Sequence, residues 1–260
     1  MKKIFRLFVI IYLSLITYNA FSQTTAEQTI SPDRPGVGTP PSLVPENYFQ
    51  LETGFLYDHS HTEGATTKVY SYNQSLFRFG LLSFAEIRMS TDYTKTEVKN
   101  SDGTASVAGF SPITLGTKIA LLQEEGVIPQ TSLMANFTLP KTGLADYRVS
   151  NVAPSVYLLF QNSLSDSLSL GYNIGLEWDG DSNQPTTFYA VNLGLRLTDK
   201  LSCFFENYGY LNPTGNDFYV DGGLAYMLTK KIQLDVYGGI STKGGNANTQ
   251  ISAGFSWLIP

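Results

Sequence analysis

The sequence has 260 residues, of which 15% are charged and 13% aromatic, and its formal net charge is −5 at pH 7. This acidic balance argues against nucleic acid as a partner. The only cysteine, Cys203, excludes an intramolecular disulfide framework. Abundant tyrosine, phenylalanine and glycine favour β-structure.

The first 22 residues have the three parts of a secretory signal peptide. Basic residues precede an apolar run from Leu7 to Ile16, and the small residues Ala20 and Ser22 follow at −3 and −1 of a cleavage before Gln23. The alternative is a transmembrane anchor, but the apolar run is shorter than the ~20 residues that a spanning helix needs. We therefore predict a cleaved signal peptide over residues 1–22.

Residues 23–46 form a leader that is rich in proline. Its prolines are Pro32, Pro35, Pro40, Pro41 and Pro45. Because proline fixes φ and has no N–H to donate, we expect neither a helix nor a central strand here. Asp33 and Arg34 give the leader one charge of each sign.

From Tyr48 onward, apolar residues recur at every second position, which is the period of a β-strand. The alternation is clearest in "SLSLGYNIGLEWDG", which is the seventh of twelve such segments, each about ten residues long. That length suits a tilted strand that crosses a bilayer. The other segments begin at Tyr48 or lie near 68–80, 86–96, 110–121, 128–139, 152–162, 187–197, 201–211, 217–228, 231–239 and 249–258.

The connections between these segments alternate in length. Tight links such as "SLSDS" and "TDK" follow the even segments, whereas longer polar links such as "VKNSDGTASVAG" and "STKGGNANTQ" follow the odd ones. Short periplasmic turns, longer outer loops and an even strand count are typical of outer-membrane barrels. A soluble β-sandwich is the alternative, but it does not require short and long connections to alternate.

The composition of the two strand faces indicates whether the apolar face contacts lipid or packs in a protein core. The polar face is rich in Gly, Ser, Thr, Asn and Gln, and we expect the face with Phe, Leu, Ile, Tyr and Trp to look outward. We therefore predict an all-β fold. Residues 47–260 form a transmembrane antiparallel up-and-down β-barrel of about 12 strands, in contact with the lipid of the outer membrane of a Gram-negative bacterium.

The same alternation places ten charged residues in the lumen. Six are acids and four are bases: Glu52, Arg78, Glu86, Arg88, Asp92, Lys118, Glu177, Arg196, Glu206 and Asp235. They form either a salt-bridge network that supports the wall or the lining of a solute path. The leader is then either a disordered periplasmic tether or a plug, whose candidate residues are Asp33, Arg34, Pro35 and Gly36.

The sequence offers little support for catalysis or metal binding. The only histidines, His59 and His61, lie in the first outer loop without a third ligand or a serine partner. The stretch "DGDSNQ" at Asp179 begins like a calcium loop, but Gln184 and Ala190 occupy its glycine and glutamate positions. We expect no enzyme activity, no metal and no cofactor.

A series of short motifs resembles one outer-membrane family. These are "SPDRPG", "VPENYFQLETGF", "FRFGLLSFAEIRMSTDY", "SPITLGTKIAL", "ANFTLPKTG", "CFFENYG" and "ISAGFSWL". In this order they resemble the family named for the MetA-pathway of phenol degradation. The resemblance implies a transporter for small, aromatic or hydrophobic compounds. It also implies recognition of the last strand by the barrel assembly machinery, with Trp257 in place of the usual terminal aromatic residue.

Two functions remain open at this stage. The first is a channel for passive passage of small solutes, and the second is a closed structural or adhesion barrel that acts through its outer loops.

Overall fold

The computed structural model describes residues 28–62, 64–213, 215–241 and 248–260. The predicted signal peptide and the first residues of the leader lie outside the described residues. The strands are β1 Phe49–Thr62, β2 Ala65–Leu82, β3 Ala85–Asn100, β4 Gly103–Phe110, β5 Thr114–Leu122, β6 Gln130–Thr138, β7 Ala153–Ser163, β8 Leu168–Glu177, β9 Thr186–Arg196, β10 Leu201–Asn212, β11 Gly215–Thr229, β12 Ile232–Ser241 and β13 Asn248–Ile259.

These strands form one antiparallel sheet that closes on itself. The first and last strands pair from Phe49 opposite Ile259 to His59 opposite Thr249. Of the 13 strands in the sheet, β4 pairs only with β3 and stands outside the ring, so 12 strands form the wall. The predicted barrel is confirmed. None of the helices that the structure describes is long and apolar enough to cross a membrane.

The wall differs from the prediction in two places. His59 and His61, which were predicted in the first outer loop, lie in β1, because the pairing of β1 with β2 continues to Thr62.

The second difference is a fork between β3, β4 and β5. The inner part of β3 pairs with β5 up to Ser90, and its outer part pairs with β4 from Tyr93 to Asn100. The segment predicted as an outer loop over 98–109 is therefore largely a β-hairpin, and the strand predicted at 110–121 begins at Thr114. Threonines and valines in both arms favour strand, and Gly103 at φ +139° completes the turn.

Apolar side chains are exposed and polar side chains are buried in this barrel, which is the reverse of a soluble protein. On β12, the apolar Leu234 and Val236 are 45% and 49% exposed, whereas the polar Gln233 and Asp235 are 6% and 4% exposed. The alternation repeats around the ring. An apolar exterior around a polar interior, with all ladder hydrogen bonds paired in a closed ring, is the arrangement that a bilayer requires.

The outer connections include a turn at Asp179. The backbone N–H groups of Asp181 and Ser182 donate to its carboxylate at 2.9 and 2.7 Å. Hydrogen bonds from Ser182 and then Asp181 lower the pKa of Asp179. The hairpin-loop interpretation of "DGDSNQ" accounts for these contacts. Among the described residues, no group of three or more His, Cys, Asp and Glu side chains could hold a metal ion.

Candidate functional site

The described part of the leader, residues 28–46, lies inside the barrel wall. Near its start, the backbone N–H of Ile30 donates to the carbonyl of Lys230, in the turn between β11 and β12, at 2.8 Å. At its end, the N–H of Asn47 donates to the carbonyl of Gly80 at 2.8 Å. Both contacts are at the periplasmic end, where β1 begins and β13 ends. The residues between these two contacts extend into the lumen and then lead back to the periplasmic end.

Glycines in the wall make room for this segment. A Cβ on Gly80 would lie 2.6 Å from the carbonyl oxygen of Val44. A Cβ on Gly54 or Gly254, which are opposite each other on β1 and β13, would lie 2.7 or 2.6 Å from the guanidinium of Arg34. Strand glycines often mark such close approaches of another part of the chain.

Asp33 is the centre of a buried ion network. Its carboxylate oxygens lie 3.0 Å from Arg78 Nη1, 2.9 Å from Lys118 Nζ and 2.6 Å from Arg88 Nη1. The three cations come from β2, β5 and β3. A single leader side chain therefore joins three strands of the wall.

Two wall carboxylates complete the network. Glu52 lies 2.8 Å from Arg78 and accepts the N–H groups of Asp33 and Arg34 at 2.9 and 3.0 Å. Glu86 pairs with Arg78 at 2.9 Å, and the N–H of Val44 donates to it at 2.8 Å. With Asp33, these carboxylates balance the three cations. A buried network is favourable only when its members are paired in this way.

Arg34 forms a second connection, to the adjoining part of the wall. Its guanidinium donates to Asp235 at 3.0 Å, to Ser252 at 2.9 Å and to Gln74 at 3.2 Å. These partners stand on β12, β13 and β2. The amide of Gln233 donates to the carbonyl oxygen of Arg34 at 3.1 Å. The adjacent charges Asp33 and Arg34 thus bind neighbouring parts of the wall, which overlap at β2.

The tip of the leader reaches β8 and β10. The N–H groups of Val37 and Gly38 each donate to a separate oxygen of Glu206 at 2.8 Å. Thr39 exchanges two hydrogen bonds with Asn173, one to its oxygen at 2.7 Å and one from its amide at 2.9 Å. The leader therefore spans the lumen from β2 and β5 to β8 and β10.

Between Pro40 and Ser42, the leader contacts the wall through its carbonyl oxygens. Lys118 donates to the carbonyls of Pro40 and Ser42 at 3.0 and 3.1 Å. Ser132 donates to the carbonyl of Pro41 at 2.6 Å. Proline suits these positions because it brings no N–H that would need a partner inside the barrel.

Two cavities lie on either side of the leader. The larger, about 980 Å³, is lined by leader residues and by the periplasmic halves of β7 to β10, including Arg196. The smaller, about 360 Å³, is lined by Asp92, Asn136 and Tyr237 with other leader residues. Asp33, Arg34 and Thr39 line both cavities. The leader therefore separates two hollow parts of one lumen.

Aromatic side chains also occupy the lumen, contrary to the expectation that they all face outward. They are Tyr157, Phe188, Tyr208, Tyr210 and Tyr219, together with Val37 of the leader. We call these five rings the inner aromatic cluster. The alternation failed here because β10 carries rings on both faces: Phe205 is 59% exposed, whereas Tyr208 is 3% exposed.

The remaining predicted luminal residues lie away from the ion network. Asp92 lines the smaller cavity and accepts the N–H of Ser75 at 3.3 Å. Glu177 accepts a hydrogen bond from Tyr157 Oη at 2.8 Å. Arg196 is exposed and lines the larger cavity at its periplasmic end. The structure thus brings seven of the ten predicted residues into contact with the leader and leaves these three apart.

Several residues that hold the leader were not predicted. They are neutral, so no charge marks them on the polar face of a strand: Gln50, Ser132, Asn173, Gln233 and Ser252. Asp221 was also missed, although it alternates with the outward Val220 and is 3% exposed. The parity of β11, which has Phe218 and Val220 on its outer face, was the signal that could have identified it.

Three solved structures resemble this barrel. The translocator domain of autotransporter NalP from Neisseria meningitidis has a TM-score of 0.51 and 13% identity, over 86% of this chain and 90% of that one. KdgM porin in complex with disordered oligogalacturonate has a TM-score of 0.50 and 11% identity, over 78% and 98%. NanC porin has a TM-score of 0.50 and 10% identity, over 80% and 98%. These identities show the fold alone, and no curated protein matches the sequence.

The sequence model of the family described as "Putative MetA-pathway of phenol degradation" matches residues 32–259. The chain belongs to this family. The match begins at Pro32, so the MetA-pathway family includes the luminal residues Asp33 to Gly36 as well as every strand of the wall. The resemblance that the short motifs indicated is confirmed. As a closed ring with an apolar exterior, this MetA-pathway barrel lies in the outer membrane of a Gram-negative bacterium.

Proposed function

We propose that the barrel is a channel for the passive passage of small solutes, including aromatic and hydrophobic ones, and that its leader is the plug. The observation that carries this proposal is the pair of cavities, about 980 and 360 Å³, on either side of the leader. A barrel that only supports outer loops has no need of a hollow lumen divided by a movable segment.

The contacts of the leader support a plug that is held firmly and released as a unit. Apart from the peptide connection to β1, its attachment depends on ion pairs and hydrogen bonds to β1, β2, β3, β5, β8, β10, β12 and β13. Such contacts break together once their geometry is lost, since unpaired charges in the lumen are costly. In this proposal, seven of the ten predicted luminal residues hold the plug candidates Asp33 to Gly36 and the rest of the leader, while Asp92 and Arg196 line the cavities.

The inner aromatic cluster supports the choice of solute. Aromatic rings provide large apolar surfaces with defined contact geometry, so an aromatic or hydrophobic solute would find favourable contacts beside the leader tip. The small polar side chains of the periplasmic cavity would then solvate it on exit.

A disulfide between the leader tip and the wall tests the plug without removing any buried charge. Thr39→Cys and Asn173→Cys, with Cys203→Ser, place the two thiols where a pair of hydrogen bonds now joins the segments. In planar bilayers we expect the oxidised barrel to carry little current and the reduced barrel to carry more. Equal currents in both states would contradict the plug.

Liposome swelling separates the channel from a closed structural or adhesion barrel. Solutes of graded size and hydrophobicity should enter liposomes that contain the reduced barrel, whereas a closed barrel admits none. The matched control carries Cys203→Ser alone, whose swelling rate should not depend on the redox state.

Assembly is a separate part of the proposal. We assign recognition by the barrel assembly machinery to β13, whose outward Trp257 is 44% exposed near the end of the chain. Replacement of Trp257 by alanine should reduce the amount of heat-resistant barrel in the outer membrane, while the same replacement of Trp178 should not.

A further inference from the structure

The two sides of the lumen differ in how their carboxylates are neutralised. On the side of β1 to β5, Asp33, Glu52 and Glu86 all have arginine or lysine partners within 3.0 Å. On the side of β8 to β11, Glu177, Glu206 and Asp221 form no ion pair with any described lysine or arginine. Among the described residues, the second group therefore has no positive counter-charge.

Asp221 is the least satisfied member of this group. It is 3% exposed, and its Oδ1 has no hydrogen-bond partner among the described residues. Its Oδ2 lies 3.5 Å from the amide nitrogen of Gln250, which is a long contact. A buried carboxylate without a donor or a counter-charge carries a large desolvation cost. Such a group indicates a partner that the chain itself does not supply.

Glu206 lies directly opposite Asp221 in the pairing of β10 with β11. Its two oxygens are occupied by the N–H groups of Val37 and Gly38, and Asn192 donates to one of them at 3.3 Å. All three donors are neutral. The leader tip therefore satisfies the hydrogen bonds of Glu206 but leaves its charge uncompensated.

Aromatic rings lie immediately on the outer side of these two carboxylates. Tyr208 follows Glu206 by two residues and Tyr219 precedes Asp221 by two, so both lie nearer the outer surface. Their rings are stacked with centroids 4.6 Å apart. The face of a tyrosine ring attracts cations. Rings beside paired carboxylates are the chemistry that recognises a positively charged group.

Gly239 packs closely against Asp221. Gly239 belongs to β12 and pairs with Asp221 of β11 on one side and with Gln250 of β13 on the other. A Cβ on Gly239 would lie 2.5 Å from the Cβ of Asp221 and 3.0 Å from Nε2 of Gln250. Only glycine fits here, so position 239 supplies no side-chain donor to the carboxylate of Asp221.

We infer that Asp221 and Glu206, with Tyr208 and Tyr219, form a binding site for a monovalent cationic group. Two sources carry that chemistry: the ammonium of a small organic amine, and an inorganic cation such as potassium. A cation at Asp221 competes with the leader tip, because it attracts the carboxylate of Glu206 that now holds the N–H groups of Val37 and Gly38. Binding at this site therefore loosens the plug. This last step rests on the proposed channel function.

Equilibrium binding to the purified full chain in detergent tests the site independently of transport. The probes are benzylammonium, benzyl alcohol, benzoate and potassium chloride, each titrated by calorimetry. We expect benzylammonium or potassium to bind, and Asp221→Asn to weaken that binding at least tenfold. The exposed loop variant Asp179→Asn is the matched control and should bind as the wild type does.

The arms of the experiment assign the source and decide the proposal. Asp221-dependent binding of benzylammonium alone assigns the site to organic amines, and Asp221-dependent binding of potassium alone assigns it to inorganic cations. Equal affinity of wild type and Asp221→Asn for both probes, or benzoate binding as tightly as benzylammonium, overturns the site. A circular dichroism spectrum confirms that each variant keeps its β-sheet.

Liposome swelling then separates this site from the channel itself. If the barrel binds neither cationic probe but still admits solutes into liposomes, only the cation site is contradicted. Binding retained without solute entry contradicts only the channel.

Discussion

The carboxylate of Asp33 and the ammonium of Lys118 lie 2.9 Å apart, although 85 residues separate them in the chain. One stands on the leader and the other on β5, and Lys118 is fully buried. This pair thus reports directly on whether the leader is docked in the wall.

Asp33→Asn should release the leader. The substitution keeps the shape of the side chain but leaves Arg78, Arg88 and Lys118 with only two carboxylates. Breaking a buried ion pair in this way costs about 3–5 kcal/mol. We expect a larger current in planar bilayers and a lower melting temperature in detergent. Asp179→Asn, in an exposed outer loop, should change neither measurement.

Asp33→Asn combined with Lys118→Met should be less harmful than the sum of the two single changes. The double variant removes one charge of each sign, so the remaining carboxylates and arginines balance again. For groups in direct contact, a coupling energy of about 0.5–3 kcal/mol is expected. Additive effects on the free energy of unfolding would show that the two side chains do not interact as described.

Gly80→Ala should displace the end of the leader. A Cβ at this position meets the carbonyl oxygens of Val44 and Pro45, and backbone atoms cannot rotate away from it. Overpacking of this kind costs about 1–3 kcal/mol. We expect faster cleavage of the leader by an added protease. Gly215→Ala is the control, since a Cβ there has no neighbour within 4 Å.

Tyr208→Ala should enlarge the passage on the side of β10. Removal of this ring opens space in the inner aromatic cluster, so larger solutes should enter liposomes in the swelling assay. Phe205→Ala removes a ring from the same strand, but on the lipid-facing side, and should leave the size limit unchanged. If both variants admit larger solutes, the change in the size limit comes from general loosening of the wall and not from the space opened in the lumen.

The ring of strands could be predicted because both of its signals are local. Alternation along each strand and the rhythm of loop lengths come from neighbouring residues in the chain. The fork at Thr114 escaped prediction because the polar outer arms of β3 and β4 have no apolar face to mark them. There, strand propensity and pairing decide the structure, and the sequence of a strand does not show which other strand it pairs with.

The leader shows a different limit. Its prolines excluded a helix and a central strand. Its two charges indicated that it would need oppositely charged partners inside the barrel. Which wall residues would meet Asp33 or Arg34 depends on the stagger of strands that are far apart in the sequence. The neutral contacts at Asn173 and Ser132 could not be predicted, because an amide or a hydroxyl on a polar face is equally suited to bind water.

The leader is covalently joined to β1, so the lumen and the segment that fills it belong to one molecule. A segment freed from the wall remains within reach of its docking residues at an effective concentration of roughly millimolar order. Re-closure is then a unimolecular event whose rate does not depend on how many barrels the membrane holds. Each barrel should open and shut with its own intrinsic lifetime, which single-molecule records can measure.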